Sequence, residues 1–285
     1  MRKEKFMEFK GKKAVVTGSS GGIGRAISIA LAREGADVVL ASRNVPDMEA
    51  VKKEIEGLGR RAIAIKCDVS EDDSVAAMKE EAIKTFGNID ILINNAAVGI
   101  RGSLEDVSLD DWRYIINVNL MGYVRNVHAF LTHFINRGSG YIVNVSSIQA
   151  LAYGAEMLNT PYITTKAGVI GLSDCLSAYL RPEGIKVSCL IPGGVITNIA
   201  RNSRFVGSEE RKKELRARDE VGTRLPMFLT PEQCAEGLIE GMKKEDYLIL
   251  VPAGMAEMLK AQGRDIAMFN AHAANPPPPR FPPPK

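Results

Sequence analysis

The sequence predicts a doubly wound α/β fold, a seven-stranded parallel sheet with helices on both faces. Three observations predict it. Short apolar, β-rich runs alternate with longer amphipathic stretches through most of the 285 residues. Most of these runs are continuously apolar, the pattern of strands buried on both faces. A glycine-rich turn joins the first run to the first amphipathic stretch, where an α/β sheet places a phosphate-binding loop.

The strand candidates, in order, are Ala14–Thr17, Asp37–Ser42, Ala62–Cys67, Ile89–Asn94, Tyr141–Ser146, Lys186–Ile191 and Tyr247–Val251. Helical segments fall near residues 23–34, 47–58, 71–86, 110–136, 161–181 and 231–243. Helix starts are marked by Ser70 with Asp73 and by Ser108 with Asp111, both fitting a capping box. Thr230-Pro231-Glu232-Gln233 adds a proline at the first helical position. Residues 197–230 interrupt the rhythm with a long, charged excursion at the carboxyl end of the sixth strand, expected to be a substrate lid with helical pieces. Residues 1–270 are therefore read as one domain, with an amphipathic segment at 254–268. Residues 271–285 are read as a proline-rich, disordered tail, since seven of the 14 prolines fall in the last ten positions.

Composition narrows the function. With 45% apolar residues the chain can bury a full core, and a net charge of +3 gives no argument for nucleic-acid or membrane binding. Cys67, Cys175, Cys189 and Cys234 lie far apart with no ligand spacing, which argues for reduced thiols in a cytoplasmic protein and against a zinc site. The charged start, Met1–Phe6, is not a secretory signal, and no apolar run approaches the roughly 20 residues needed to span a bilayer. His128, His133 and His272 show no metal spacing and are read as structural or exposed, and Trp112 as packed against the sheet.

Two motifs carry chemistry. Thr17-Gly18-Ser19-Ser20-Gly21-Gly22-Ile23-Gly24-Arg25 follows the first strand and runs into the first helix. Glycines permit the tight turn and a close approach to a pyrophosphate, and the helix N-terminus supplies N–H donors. Of the seven tyrosines, only Tyr162 has a lysine, Lys166, four positions later. On a helix the two share a face, where an ammonium would lower a phenol pKa of about 10 toward the working range of an acid–base catalyst.

The glycine spacing, G-x-x-x-G-x-G after Thr17, resembles that of the short-chain dehydrogenase/reductase family, a group with Rossmann-like sheets. The resemblance continues in order over roughly residues 10–200: Asn94-Asn95-Ala96-Ala97, Asn119, Ser146-Ser147, Tyr162 with Lys166, and Pro192-Gly193-Gly194-Val195-Ile196-Thr197. It implies reversible hydride transfer between a nicotinamide cofactor and a ketone or secondary alcohol. Tyr162 would donate the proton and Ser147, favoured over Ser146, would polarise the carbonyl. Lys166 would hold the nicotinamide ribose and lower the Tyr162 pKa, and Asn119 would keep a relay water in place. It also implies cofactor contacts from Gly18, Ser19, Ser20, Gly22, Ile23, Gly24, Ser42, Arg43, Asn44, Asp68, Val69, Asn95, Ala96, Tyr162, Lys166, Pro192, Gly193, Val195 and Thr197, and a homo-oligomer.

Cofactor choice is read at the end of the second strand. An NAD-type site needs a carboxylate there for the ribose 2′-OH. Ser42, Arg43 and Asn44 stand in its place, suited by charge and hydrogen bonding to a 2′-phosphate, so NADP(H) is favoured. The step from Ser147 to Tyr162 is longer than the family usually shows. It contains Tyr153, which lacks a lysine one turn on and is the weaker proton donor.

The apolar members of the flanking loops, Val98, Ile100, Leu151, Met157, Leu158, Ile196, Ile199 and Phe205, suit a hydrophobic carbonyl substrate. The basic cluster in 201–218 leaves open a 3-oxoacyl thioester, carried on coenzyme A or an acyl carrier protein. A non-catalytic nucleotide-binding regulator is disfavoured, because the chain keeps both Tyr162 and Lys166.

Overall fold

A computed structural model describes residues 7–151, 157–197, 199, 203–222 and 228–261. Its first half runs β1 (Lys13–Thr17), α1 (Gly22–Arg33), β2 (Asp37–Ser42), α2 (Val45–Gly57), β3 (Ala62–Lys66), α3 (Asp72–Phe86), β4 (Ile91–Asn94), β5 (Ile100–Arg101), α4 (Leu109–Ile116) and α5 (Gly122–Arg137). The second half runs β6 (Gly140–Val145), α6 (Thr160–Leu180), β7 (Ile185–Pro192), β8 (Arg204–Phe205), α7 (Glu209–Gly222), α8 (Pro231–Lys244), β9 (Leu248–Val251) and α9 (Met255–Ala261).

Seven strands form one parallel sheet in the order β3-β2-β1-β4-β6-β7-β9. Successive residues face opposite layers. Ala14, Val16, Val38, Leu40, Ile91 and Ile93 join one apolar cluster with α1, α2 and α8, while Val15, Val39, Ala41 and Leu92 join another with α3, α5 and α6. Burial on both faces is why these strands read as unbroken apolar runs. The strand order reverses between β1 and β4, and their carboxyl ends splay into a crevice there, the usual ligand position in such a sheet.

The capping box at Ser108–Asp111 forms as expected, and Thr230, followed by the expected proline in the first turn, forms another with Gln233. The one at Ser70 does not. Helix α3 is capped by Glu71 without a side-chain bond, because the Ser70 hydroxyl donates to Asp68 Oδ1 at 2.7 Å.

The single helix expected over 110–136 is interrupted by a π-helical stretch, Asn117–Met121. The wider turn carries Asn119 inward, where Val98 and Thr165 take up its amide. A further two-stranded parallel sheet, unforeseen from sequence, pairs β5 with β8 and so ties the segment after β4 to the segment after β7. Within the charged segment after β7, α7 carries mixed charges, with Lys212 on Glu209 and Arg216 over the Phe205 ring. The proline-rich tail, and the amphipathic segment beyond Ala261, lie outside the described residues; within α9, Leu259 is fully buried.

Candidate active site

The glycine turn closes against the segment after β4. Gly18 has φ +66°, and a Cβ there would come within 2.9 Å of Ala96 Cα. Gly24 faces back on the turn, where a Cβ would stand 2.3 Å from the Gly18 carbonyl oxygen. Only glycine satisfies both positions. Asn95 locks the arrangement, its Nδ2 donating to the carbonyl oxygens of Thr17 at 2.9 Å and Gly18 at 3.3 Å. Thr17 Oγ1 in turn accepts from the Asn95 and Ala96 N–H groups.

A groove of about 880 Å³ opens over this turn. Gly18, Ser20, Gly21, Gly22 and Ile23 line one side, and Asp68, Val69 and Asn95 through Val98 the other. The residues fit a dinucleotide. Helix α1 begins after Gly21 with no side chain capping its first N–H groups, so these donors are left for an anion in the groove.

At the far end of the groove, Ser42 Oγ lies 2.9 Å from Ser20 Oγ, and the Arg43 guanidinium lies 3.7 Å from Asp68 Oδ2. Burial raises the Asp68 carboxyl, but the Ser70 hydroxyl and N–H, with the charges of Arg43 and Arg125, hold it below the usual range. Asp47, not singled out from sequence, also lines this end; Asn44 Nδ2 donates to its carboxylate at 2.6 Å.

The candidate catalytic groups converge where β6 ends and α6 begins. Ser146 is committed to packing, its hydroxyl donating to the Lys166 carbonyl oxygen at 2.7 Å. Ser147 is the one that meets Tyr162, through a hydrogen bond between their side chains. Its Oγ also accepts from Gln149 N–H at 3.2 Å. Lys166 is 1% exposed, and its Nζ donates to the Val145 carbonyl oxygen at 2.7 Å and to Tyr123 Oη at 3.1 Å. The same Nζ lies 5.7 Å from the centroid of the Tyr162 ring, so the two side chains do share a helix face.

The electrostatics correct one expectation. Burial pushes the Tyr162 phenol up to about 12, countered only in part by the Ser147 hydrogen bond and the nearby Arg101 charge. Burial also pulls Lys166 down to about 7, with Cys189 opposing the shift. Desolvation therefore outweighs the attraction expected between phenolate and ammonium, and Tyr162 holds its proton at neutral pH. Asn119 is fully buried: its Oδ1 accepts from Val98 N–H at 2.8 Å, and its Nδ2 donates to Val98 O at 2.9 Å and Thr165 Oγ1 at 3.2 Å. Its side chain thus tethers the loop after β4 to α6.

Other expected positions fall differently. Ser19 is turned fully inward with its Oγ unpartnered, and Gly24 packs against the turn itself. Tyr162, Lys166, Pro192, Gly193 and Val195 are not in the groove wall, whereas Thr197 and Ile199 are. Ile100 and Leu151 are buried in the apolar core, and Val98, also buried, lines the groove. Ile196 remains exposed. Tyr153 lies outside the described residues. The sequence also missed Ala41, Pro46, Cys67, Ala97 and Val118 in the groove wall, since an uncharged residue at a strand end or helix turn carries no chemical signal.

His133 bonds the backbone of Ile89, Trp112 packs partly buried against the core, and all four cysteines are free. Among the described residues no group of side chains is placed to hold a metal ion, and no helix is long and apolar enough to cross a membrane.

The family model for short chain dehydrogenases matches residues 12–205. A (2S)-((R)-hydroxy(phenyl)methyl)succinyl-CoA dehydrogenase subunit of Thauera aromatica is 32% identical over 240 residues, covering 82% of this chain and 94% of its own. A 3-oxoacyl-acyl-carrier-protein reductase of Thermotoga maritima is 30% identical over 235 residues, covering 82% and 91%. Among solved structures, a short-chain dehydrogenase/reductase of Burkholderia phymatum in complex with NAD superposes with a TM-score of 0.83 at 26% identity, covering 96% of this chain and 99% of its own.

Proposed function

The chain belongs to the short-chain dehydrogenase/reductase family of NAD(P)-dependent oxidoreductases, and from that premise we propose that it transfers a hydride between NADP(H) and a ketone or secondary alcohol with an apolar body. The observation that carries this reading is the meeting of Ser147, Tyr162 and Lys166 at the carboxyl end of β6, beside a groove whose donors suit a pyrophosphate.

The nicotinamide cofactor supplies or receives the hydride. Tyr162, protonated at neutral pH, gives its proton to the carbonyl oxygen on reduction and takes it back on oxidation. Ser147 holds that oxygen with a second hydrogen bond, and Lys166 stands under the phenol with its amine available to a ribose hydroxyl. Asn119 fixes the loop that forms the groove wall.

NADP(H) is supported by Ser42 and Arg43 at the end of β2, where an acid would be expected for NAD. Two carboxylates lie beside them, Asp68 at 3.7 Å from the Arg43 guanidinium and Asp47, which accepts from Asn44 Nδ2 at 2.6 Å. Replacing Arg43 with alanine is expected to lower kcat/KM for NADPH about tenfold, with NADH little changed. Equal losses for both cofactors would overturn the preference.

The relatives of Thauera aromatica and Thermotoga maritima are named for thioester substrates, which keeps a 3-oxoacyl thioester as the second reading. Ile196, exposed beside the site, supports an apolar substrate body in either case. A cofactor-oxidation screen across hydrophobic ketones and 3-oxoacyl thioesters separates the two. Tyr162→Phe is expected to lower turnover roughly 10²- to 10⁴-fold at saturating cofactor; near-normal turnover would remove the acid–base assignment. The exposed Ile116, Met121 and Tyr179 support a homo-oligomer, which light scattering on the purified protein would test.

A further inference from the structure

Tyr123 stands one turn after Asn119, on the first turn of α5, and is among the largest fully buried side chains of the described residues. Its hydroxyl donates to the Val145 carbonyl oxygen at 3.0 Å. A phenol has one proton, so that bond leaves only acceptor lone pairs on Oη. Lys166 Nζ lies 3.1 Å from them and 2.7 Å from the same Val145 oxygen. The three groups close a triangle at the last residue of β6, directly before Ser146 and Ser147.

We propose that Tyr123 is a positioning residue for Lys166, its hydroxyl fixing the amine beneath Tyr162 and favouring the ammonium over the free amine. The proposal rests on the catalytic reading given above, in which Lys166 serves the acid–base centre. Two of the three ammonium N–H groups are taken by the triangle, leaving one for a partner outside it. The ammonium stands at the hydroxyl edge of the Tyr123 ring, 5.1 Å from its centroid, where the hydrogen bond to Oη is the contact that holds it.

The other titratable groups facing this centre supply no compensating charge at neutral pH. Tyr162 on α6 is neutral. Cys189 on β7, itself beside Asp174, is pushed up to about 12 by burial and remains a thiol. Arg101 on β5 acts on Tyr162 from the other side and carries the same sign as the ammonium. Against a desolvation that drives Lys166 toward its neutral form, the stabilising neighbours are one carbonyl and one hydroxyl.

Tyr123→Phe keeps the ring and removes the hydroxyl, which is both the acceptor for Lys166 and a donor to Val145 O. That carbonyl oxygen still accepts from Lys166 Nζ. Protein labelled with ¹³C and ¹⁵N at lysine, without cofactor or substrate, reports the Lys166 titration, assigned by its loss in Lys166→Met. The midpoint is expected to fall by about one unit in Tyr123→Phe, and the alkaline limb of kcat/KM for carbonyl reduction to move to lower pH by the same amount. An unchanged midpoint overturns the proposal, as does a shifted midpoint with an unmoved pH profile.

If Tyr123→Phe does not fold, 3-fluorotyrosine introduced at position 123 keeps the hydroxyl and its bond to Val145 O but weakens the oxygen as an acceptor. The Lys166 midpoint is expected to fall there as well, and an unchanged midpoint overturns the proposal. Retained turnover in Tyr162→Phe would instead defeat the catalytic reading, and the titration arm distinguishes that outcome because it uses neither cofactor nor substrate.

Discussion

Lys166→Met tests the electrostatics of the site through stability alone. Methionine matches the lysine stem, and it strands no partner, because Val145 O still accepts from Tyr123 Oη. A fall in the Lys166 pKa from 10.5 to about 7 is worth about 5 kcal/mol at about 1.4 kcal/mol per unit, and at 1% exposure solvent screens little of it. The folded-state value lies below the unfolded one. Between pH 7 and 10.5 the unfolded chain therefore holds a proton that the folded chain has released, and wild-type stability rises with pH by about 1.4 kcal/mol per unit. Below pH 7 both states are charged and the penalty is complete.

Urea unfolding of wild type and variant at matched pH values, from 6 to 9.5, isolates this group because the remaining titrations cancel in the difference. The variant should be the more stable protein at pH 6, by up to about 5 kcal/mol, and its advantage should shrink by about 3 kcal/mol by pH 9.5. A gap independent of pH, or one that widens as pH rises, would refute the assignment of a desolvated lysine. The same variant should be inactive, so stability and catalysis oppose each other at this position.

Two further outcomes are expected. Ser147→Ala should lower kcat by about 10² or more, while Ser146→Ala, which loses only a bond to the Lys166 carbonyl, should cost about 1 kcal/mol of stability and keep most activity; steady-state kinetics beside thermal melts decide between the serines. Gly24→Ala should destabilise the protein by about 1–3 kcal/mol and weaken dinucleotide binding, measured by calorimetry, because the new methyl meets backbone rather than a yielding side chain.

How much of this was legible in the sequence depended on the range of the signal. The seven strands were visible because burial on both faces writes a local apolar run, and the glycine turn because backbone geometry demands its residues. The Tyr162–Lys166 pairing was visible as a helix spacing, yet the direction of its electrostatics was not. Spacing reports proximity, while the sign depended on how completely α5, α6 and β6 enclose both groups. Tyr123 gave no signal, since a tyrosine on an apolar helix face reads as packing. Ser70 looked like a cap until Asp68, two residues away, took its hydroxyl. The β5–β8 pairing involves two residues from each of two segments far apart in the chain, too short a pattern to be distinguished by composition.

That small sheet has a consequence for redesign. Gly99 and Gly102 lie against residues 203–206 so closely that a Cβ would stand 2.2 Å from Ser203 Oγ and 2.4 Å from Val206 Cγ2, and Arg204 stacks 3.6 Å over the Tyr114 ring. The two segments are thus a matched pair, sharing backbone ladder and side-chain fit. A loop transplanted from a relative to alter selectivity would arrive without its counterpart. Exchanging residues 98–107 together with 203–208 as one cassette preserves the seam; exchanging either alone tears it.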